Sequence, residues 1–241
     1  EVKRAAVVVS NPQNGEILSL VSYPSYDANI FTGGVSQENY QALLDDPNAP
    51  LFPRATQGEY PSGSTIKPMY ASAALMEHII TPSTSFLSTG GIWLGNRLFP
   101  DWRSAGHGQT NVTRAIADSV NTFFYMIGGG NESFEGLGLE RLMQYAGMFG
   151  FGSRTGVDIP VEADGFLPSK AWKEQVKGEP WYLGDTYNVS IGQGDFLVTP
   201  LQMNRATAVF ASGGNLLTPH LVKDTAIEST KIVPDDVLAV I

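Results

Sequence analysis

A hydroxyl and an amine stand three residues apart at Ser64 and Lys67, in the run Gly63-Ser64-Thr65-Ile66-Lys67-Pro68, just where an apolar stretch begins. On a helix, that spacing puts both side chains on one face within about one turn, so the amine can take the hydroxyl proton. This is the local geometry of serine acyl transfer. Ser-x-x-Lys is also a run of common letters, and alone it occurs by chance in many chains. A second pair, Ser119 and Asn121, lies in Asp118-Ser119-Val120-Asn121-Thr122. If the backbone there is extended or looped, both side chains face one cleft. Ser119 can then pass a proton between Lys67 and a leaving group, and Asn121 can hold a peptide through its own C=O and N–H. The same serine also suits the cap of a following helix, because VNTFFYMI places apolar residues at 120, 123, 124 and 127.

These side chains need particular elements to position them. Pro61-Ser62-Gly63 is a turn signal, and Met69 to Glu77 (MYASAALME) consists of strong helix formers. Pro68 is tolerated only in an opening turn, which pins the helix start close to Ser64 and aims free backbone N–H groups at that serine. Ala5 to Ser10 and Ile17 to Tyr23 read as strands of a hairpin, joined by the turn-rich Asn11 to Gly15. Residues 24–60 read as a long connection with a short helix near Glu38 to Leu44, and residues 69–186 as a mainly helical lobe with Gly-rich interruptions. Thr199-Pro200 opens a further helix that Gly213-Gly214 ends.

Other residues invite a functional reading that fails. Asp101 and His107 offer two metal ligands where zinc needs at least three from the protein, and a structural loop is the better reading. Gly192-Gln193-Gly194 lacks the spacing and lysine of a phosphate loop and reads as a backbone turn. Trp172 and Trp181 read as pins of the helical lobe. No cofactor is implied. The chain has 241 residues, enough for one domain with a proper core, and its 42% apolar and 16% charged residues are ordinary globular usage. A net charge of −9 without any basic run argues against nucleic acid as a partner. Cysteine is absent, which removes disulfides and thiolate metal sites. No stretch reaches the roughly 20 apolar residues that cross a bilayer.

In the contexts PLFPRATQGEYPSGSTIKP and SVNTFFY, and with SIGQGDFLVTPLQMNRATAVFASGGNLLTPHLV at 190–222, the chain resembles the penicillin-binding protein transpeptidases. WYLGDTYNVSIGQG (181–194) and TPLQM (199–203) make it most similar to the class B branch of cell elongation, penicillin-binding protein 2. The resemblance covers nearly the whole chain. It implies an α/β (α+β), β-lactamase/transpeptidase-like fold with a central antiparallel sheet flanked by helices. The family's third motif, Lys-Thr-Gly on an edge strand, does not occur in residues 1–241. The chain is therefore expected to be a single transpeptidase domain lacking its C-terminal strands, and to acylate poorly by itself because that motif contributes part of the oxyanion hole.

The resemblance gives Ser64 the role of nucleophile, Lys67 of general base, Ser119 of proton relay and Asn121 of substrate positioning. The substrates are peptidoglycan stem peptides ending in D-Ala-D-Ala, with β-lactams as trapped analogues. A polytopic membrane glycosyltransferase is the expected partner. The expected location is the bacterial periplasm or the outer face of the cytoplasmic membrane, reached through an N-terminal anchor preceding Glu1. A D,D-carboxypeptidase or a β-lactamase would use the same Ser and Lys with water as acceptor, and a class A β-lactamase would add a glutamate base. Glu162 lies roughly where such a base falls, but VDIPVEADG lacks the flanking pattern. A catalytically silent module that senses β-lactams or binds partners is the alternative from another class.

Overall fold

The computed structural model describes residues 2–241. The hairpin forms as its pattern dictates: β1 (Ala5–Ser10) pairs antiparallel with β2 (Ile17–Tyr23), Ala5 opposite Tyr23, with an irregularity between Val9 and Ser10. In the connection that follows, Ser36 caps α1 (Gln37–Asp45) by accepting from the Asn39 N–H. The short α2 (Arg54–Gln57) docks on the hairpin, its Ala55 N–H donating to Ser22 Oγ at 3.1 Å. Its buried Arg54 guanidinium donates to the carbonyls of Asn48, Ala49 and Phe52, which folds the preceding loop around it.

The expected helix start near Ser64 is split in two. Gly63–Ile66 form a 3₁₀ turn, and the α-helix proper, α3 (Lys67–Met76), begins at the lysine with Pro68 in its opening turn. The proline, which lacks an N–H, costs nothing at that position, and the tighter turn before it satisfies the chain entering the helix.

Residues 69–186 carry the expected helices and also four short strands. β3 (Ser85–Ser88), β4 (Gly91–Leu94), β5 (Arg97–Pro100) and β6 (Gly108–Asn111) pair antiparallel as β3 with β6 and, nested inside, β4 with β5. Strands of four residues are too brief to show a period of two. α4 (Val112–Ala117) and α5 (Asn121–Gly129) follow, then α6 (Gly138–Met148), α7 (Lys170–Lys177) and α8 (Leu183–Ser190). Val120, Phe123, Phe124 and Ile127, the apolar set of the α5 pattern, are all fully buried, in one cluster with Met69, Tyr70 and Leu142. Trp172 packs on Phe166 with ring centroids 4.7 Å apart, and Trp181 Nε1 donates to Thr186 Oγ1 at 2.8 Å.

α9 (Pro200–Ala211) opens with a reciprocal cap between Thr199 and Gln202 and lies against β1, where Ser10 Oγ donates to Asn204 Oδ1 at 2.6 Å. Gly213 and Gly214 end it with positive φ of 69° and 86°, conformations glycine adopts without strain. β7 (Asn215–Leu217), β8 (Ser229–Lys231) and α10 (Asp235–Leu238) complete the order. Among the described residues no helix is long and apolar enough to cross a membrane.

Candidate active site

Ser64 sits in the 3₁₀ turn with its side chain exposed, and its carbonyl accepts the Lys67 N–H. The turn is clamped from a distant part of the chain. The Gly63 N–H donates to the Gly192 carbonyl at 2.8 Å, and Tyr60 and Val198 exchange two backbone hydrogen bonds of 2.9 Å. Gly192 has φ of 70°, and a Cβ there would lie 2.2 Å from the Gly63 carbonyl oxygen. The expected backbone turn at Gly192-Gln193-Gly194 is therefore also the strap that fixes the serine's position. The Gly63 amide, just before Ser64, is taken up by this strap.

Lys67 is 1% exposed. Its Nζ donates to the Ser119 carbonyl at 2.8 Å, to Ser119 Oγ at 3.1 Å and to Asn121 Oδ1 at 2.7 Å, and lies 5.2 Å from the centre of the Phe124 ring. Burial pulls its pKa down to about 8, with the negative charge of Asp101 holding it partway up. Three acceptors suit an ammonium. A neutral amine has two N–H groups and a lone pair, and of the three neighbours only the Ser119 hydroxyl can reverse and donate. The expected hydrogen bond between Ser64 and Lys67 is not formed: the amine is turned to the second motif, while Ser64 is exposed.

The second motif departs from the expected serine cap. Ser119 has φ of 53°, an uncommon conformation for a non-glycine residue, and Val120 takes the cap position of α5 with no side-chain bond of its own. Asp101 supplies the missing acceptor from eighteen residues upstream of Ser119. Its carboxylate accepts from the Asn121 N–H at 3.0 Å, the Thr122 N–H at 3.0 Å and Thr122 Oγ1 at 2.8 Å, and also from Ser88 Oγ and the Trp102 N–H. Burial pushes its pKa up, but the Thr122 and Asn121 N–H groups, the Thr122 hydroxyl and the neighbouring His107 outweigh that and hold it below the ordinary carboxylate value. Asp101 and His107 thus do meet, 3.6 Å apart and buried, but as part of a loop anchor; among the described residues no three acidic, His or Cys side chains gather as a metal site. Nothing in sequence spacing links Asp101 to α5, because the nested strands bring them together.

The Asn121 amide is not free as expected. Its Oδ1 faces Lys67, and its Nδ2 donates to the Pro100 carbonyl at 3.3 Å. Glu162 is buried and accepts from the Thr155 N–H, the Thr155 hydroxyl and the Gly156 N–H, so its carboxylate is spent on its own loop. The structure therefore brings Lys67, Ser119 and Asn121 into direct contact, with Ser64 one turn away across a backbone bond.

Comparison with known proteins gives the same frame. The family model for the penicillin binding protein transpeptidase domain matches residues 5–237. The chain is 44% identical over 233 residues to the peptidoglycan D,D-transpeptidase MrdA of Escherichia coli strain K12, covering 96% of this chain and 36% of that protein. The chain thus spans about a third of the length of such curated relatives. Among solved structures, the complex between penicillin-binding protein PBP2 and MreC from Helicobacter pylori matches with a TM-score of 0.88 at 36% identity, over 98% of this chain and 43% of that one. Pseudomonas aeruginosa PBP2 in complex with WCK 5153 matches with a TM-score of 0.88 at 34% identity, over 99% and 55%. A chain from a structure described as structural coordination of polymerization and crosslinking by a peptidoglycan synthase complex matches with a TM-score of 0.85 at 36% identity, over 98% and 41%. With matched fold and nearly complete coverage of its length, the chain belongs to the penicillin-binding protein transpeptidase family.

Proposed function

We propose that the protein carrying this chain is a peptidoglycan D,D-transpeptidase of the cell-elongation type that works through an acyl-enzyme on Ser64. The observation that carries this is the buried Lys67, its pKa drawn down to about 8 and its amine held by Ser119 and Asn121, one turn after an exposed serine. Ser64 Oγ attacks the carbonyl carbon of the penultimate D-Ala of a stem peptide, and its proton passes to Lys67 Nζ. The bond to the terminal D-Ala breaks, and Ser119 hands the proton on to the leaving amine. An amine of a neighbouring stem then attacks the ester, releases Ser64 and forms the cross-link. Asn121 positions the donor peptide once its long bond to Pro100 gives way. β-Lactams take the place of the D-Ala-D-Ala end and stop at the acyl-enzyme.

The identity to MrdA supports the substrate class, and the match to a peptidoglycan synthase complex supports a glycan-polymerising partner, which we take to be a polytopic glycosyltransferase. Such a substrate lies outside the cytoplasmic membrane, which supports a site in the bacterial periplasm or at the outer face of that membrane. The single-domain reading of residues 1–241, with the lobe at 69–186, belongs to the same proposal.

A fluorescent penicillin tests it on the protein that contains this chain. Labelling should map to Ser64 and vanish in Ser64→Ala. Persistent labelling in that variant places the nucleophile elsewhere, and no labelling of the parent protein favours a silent sensing or binding module. Release of D-Ala without cross-linked product, given an acceptor amine, marks a carboxypeptidase instead.

A further inference from the structure

Ser119 adopts its left-handed conformation under four backbone restraints, and three of them originate in one short stretch, Asp101-Trp102. Trp102 Nε1 donates to the Asp118 carbonyl at 2.9 Å, just before Ser119. Asp101 takes the Asn121 and Thr122 N–H groups just after it. Lys67 Nζ holds the Ser119 carbonyl between them. Asp101 also receives the Trp102 N–H at 3.1 Å, so the buried carboxylate fixes both straps. Thr122 Oγ1 and Ser88 Oγ complete its shell, which leaves the carboxylate little freedom.

Resting on the acyl-transfer reading above, we propose that Asp101 is a positioning residue for the reaction: its carboxylate locks the Ser119–Asn121 turn around Lys67 and keeps a fixed negative charge behind the amine. The geometric half of this follows from the chain of contacts Asp101 to the Asn121 N–H, and Asn121 Oδ1 to Lys67 Nζ. The electrostatic half follows from the sign of the charge. A buried anion favours the protonated lysine, so Asp101 opposes the effect of burial and holds Lys67 nearer to the working pH than burial alone would. A base too weak to take the Ser64 proton gains nothing from being neutral, so the counter-charge serves the step.

Few other groups act on this pair. Ser119, Asn121 and the Phe124 ring face Lys67 without net charge. His107 lies beside Asp101, and Tyr125 on α5, its hydroxyl donating to the Pro100 carbonyl, has its pKa pushed up to about 12 by burial and by Asp101. Asp118 and Arg114 are exposed and paired with each other at 3.2 Å. Across the range in which Lys67 titrates, Tyr125 stays neutral, which leaves His107 as the ionisable group beside the Lys67–Asp101 pair.

The test is the rate of labelling by fluorescent penicillin between about pH 6 and 10, on the full protein, for the parent and Asp101→Asn. The parent rate should rise with pH as Lys67 loses its proton. In Asp101→Asn the rise should move to lower pH, and the plateau should fall by up to about 10²-fold as the turn loosens. Asp101→Glu, which keeps the charge but misplaces it, should leave the midpoint closer to the parent while its plateau falls. A folded Asp101→Asn with the parent midpoint overturns the proposal, even if its melting temperature drops. Should Asp101→Asn fail to fold, Asp101→Ser supplies a second neutral variant with a hydroxyl acceptor, and failure of both to fold assigns Asp101 to stability alone. A parent rate without any rise in this range, or full activity in Lys67→Ala, would instead sink the underlying assignment of Lys67 as base.

Discussion

At the scale of single residues, Lys67 sets the pH behaviour. Its pKa of about 8 lies below its ordinary value of 10.5 because burial penalises the charge. Below about pH 8 both folded and unfolded chains hold the proton, and the cost of the buried ammonium is present in full. Between the two values the unfolded chain binds more protons, so stability rises with pH across that window. Urea midpoints taken at intervals from about pH 7 to 10 should therefore climb for the parent relative to Lys67→Met, which has no proton to lose. A flat difference would mean that the amine is solvated. On the proposed mechanism activity moves in the same direction, since the neutral amine is the proposed base. Lys67→Ala should slow acylation by roughly 10²- to 10⁴-fold, the range for a lost general base. The identities of Ser64, Lys67, Ser119 and Asn121 as candidates were legible in the sequence, because two short spacings bring complementary groups together. The orientation of the Asn121 amide and the part proposed for Asp101 were not, because they depend on partners distant in sequence: Lys67, 54 residues from Asn121, and Pro100 and Asp101, 21 and 20 residues from it.

At the scale of elements, local rules predict some boundaries and distant contacts decide others. The hairpin strands and α9 follow directly from alternation, turn residues and a Thr-Pro cap, and the structure forms them at the expected positions. Removing the α9 cap with Thr199→Ala should cost about 1 kcal/mol, which lowers Tm by ~2–4 °C in a chain of this size. Penicillin labelling of that variant should be nearly unchanged, since Thr199 holds no group that faces Lys67. Gly192→Ala is the contrasting case. A Cβ at 2.2 Å from the Gly63 carbonyl oxygen, at a φ of 70°, should cost about 1–3 kcal/mol and also displace the turn that carries Ser64. Loss of labelling beyond what the melting temperature explains would separate it from the Thr199 variant. The start of α5 is the element that sequence rules misassign. A serine before an apolar run reads as a cap, yet Asp101 takes those amides and releases Ser119 to face Lys67.

For the molecule as a whole, stability is divided unevenly. One large cluster joins α3, α5 and α6 with Phe196, Val209 and Val237, whereas the hairpin attaches through a small second cluster of Ile17, Val157 and Leu201. Val7, Val9, Leu18 and Val21 on the hairpin are exposed. Amide exchange on this chain should accordingly be slowest in α3 and α5 and clearly faster in β1 and β2, and equal protection in both would show that the small cluster is as firm as the large one. The overall class was readable through the family resemblance that its sequence blocks carry, while the nested strands at 85–111 were not, since each is held by its partner rather than by its own period.

The backbone bond from Gly63 to Gly192 carries a consequence for anyone rebuilding this domain. The segment bearing Ser64 and the segment around residues 192–198 are interlocked main chain to main chain, through backbone groups that every amino acid except proline possesses, with steric tolerance set by one glycine. Swapping either segment alone into a homologous scaffold would separate Ser64 from its anchor. A chimera that keeps the chemistry must carry both pieces from the same parent, although about 130 residues separate them along the chain.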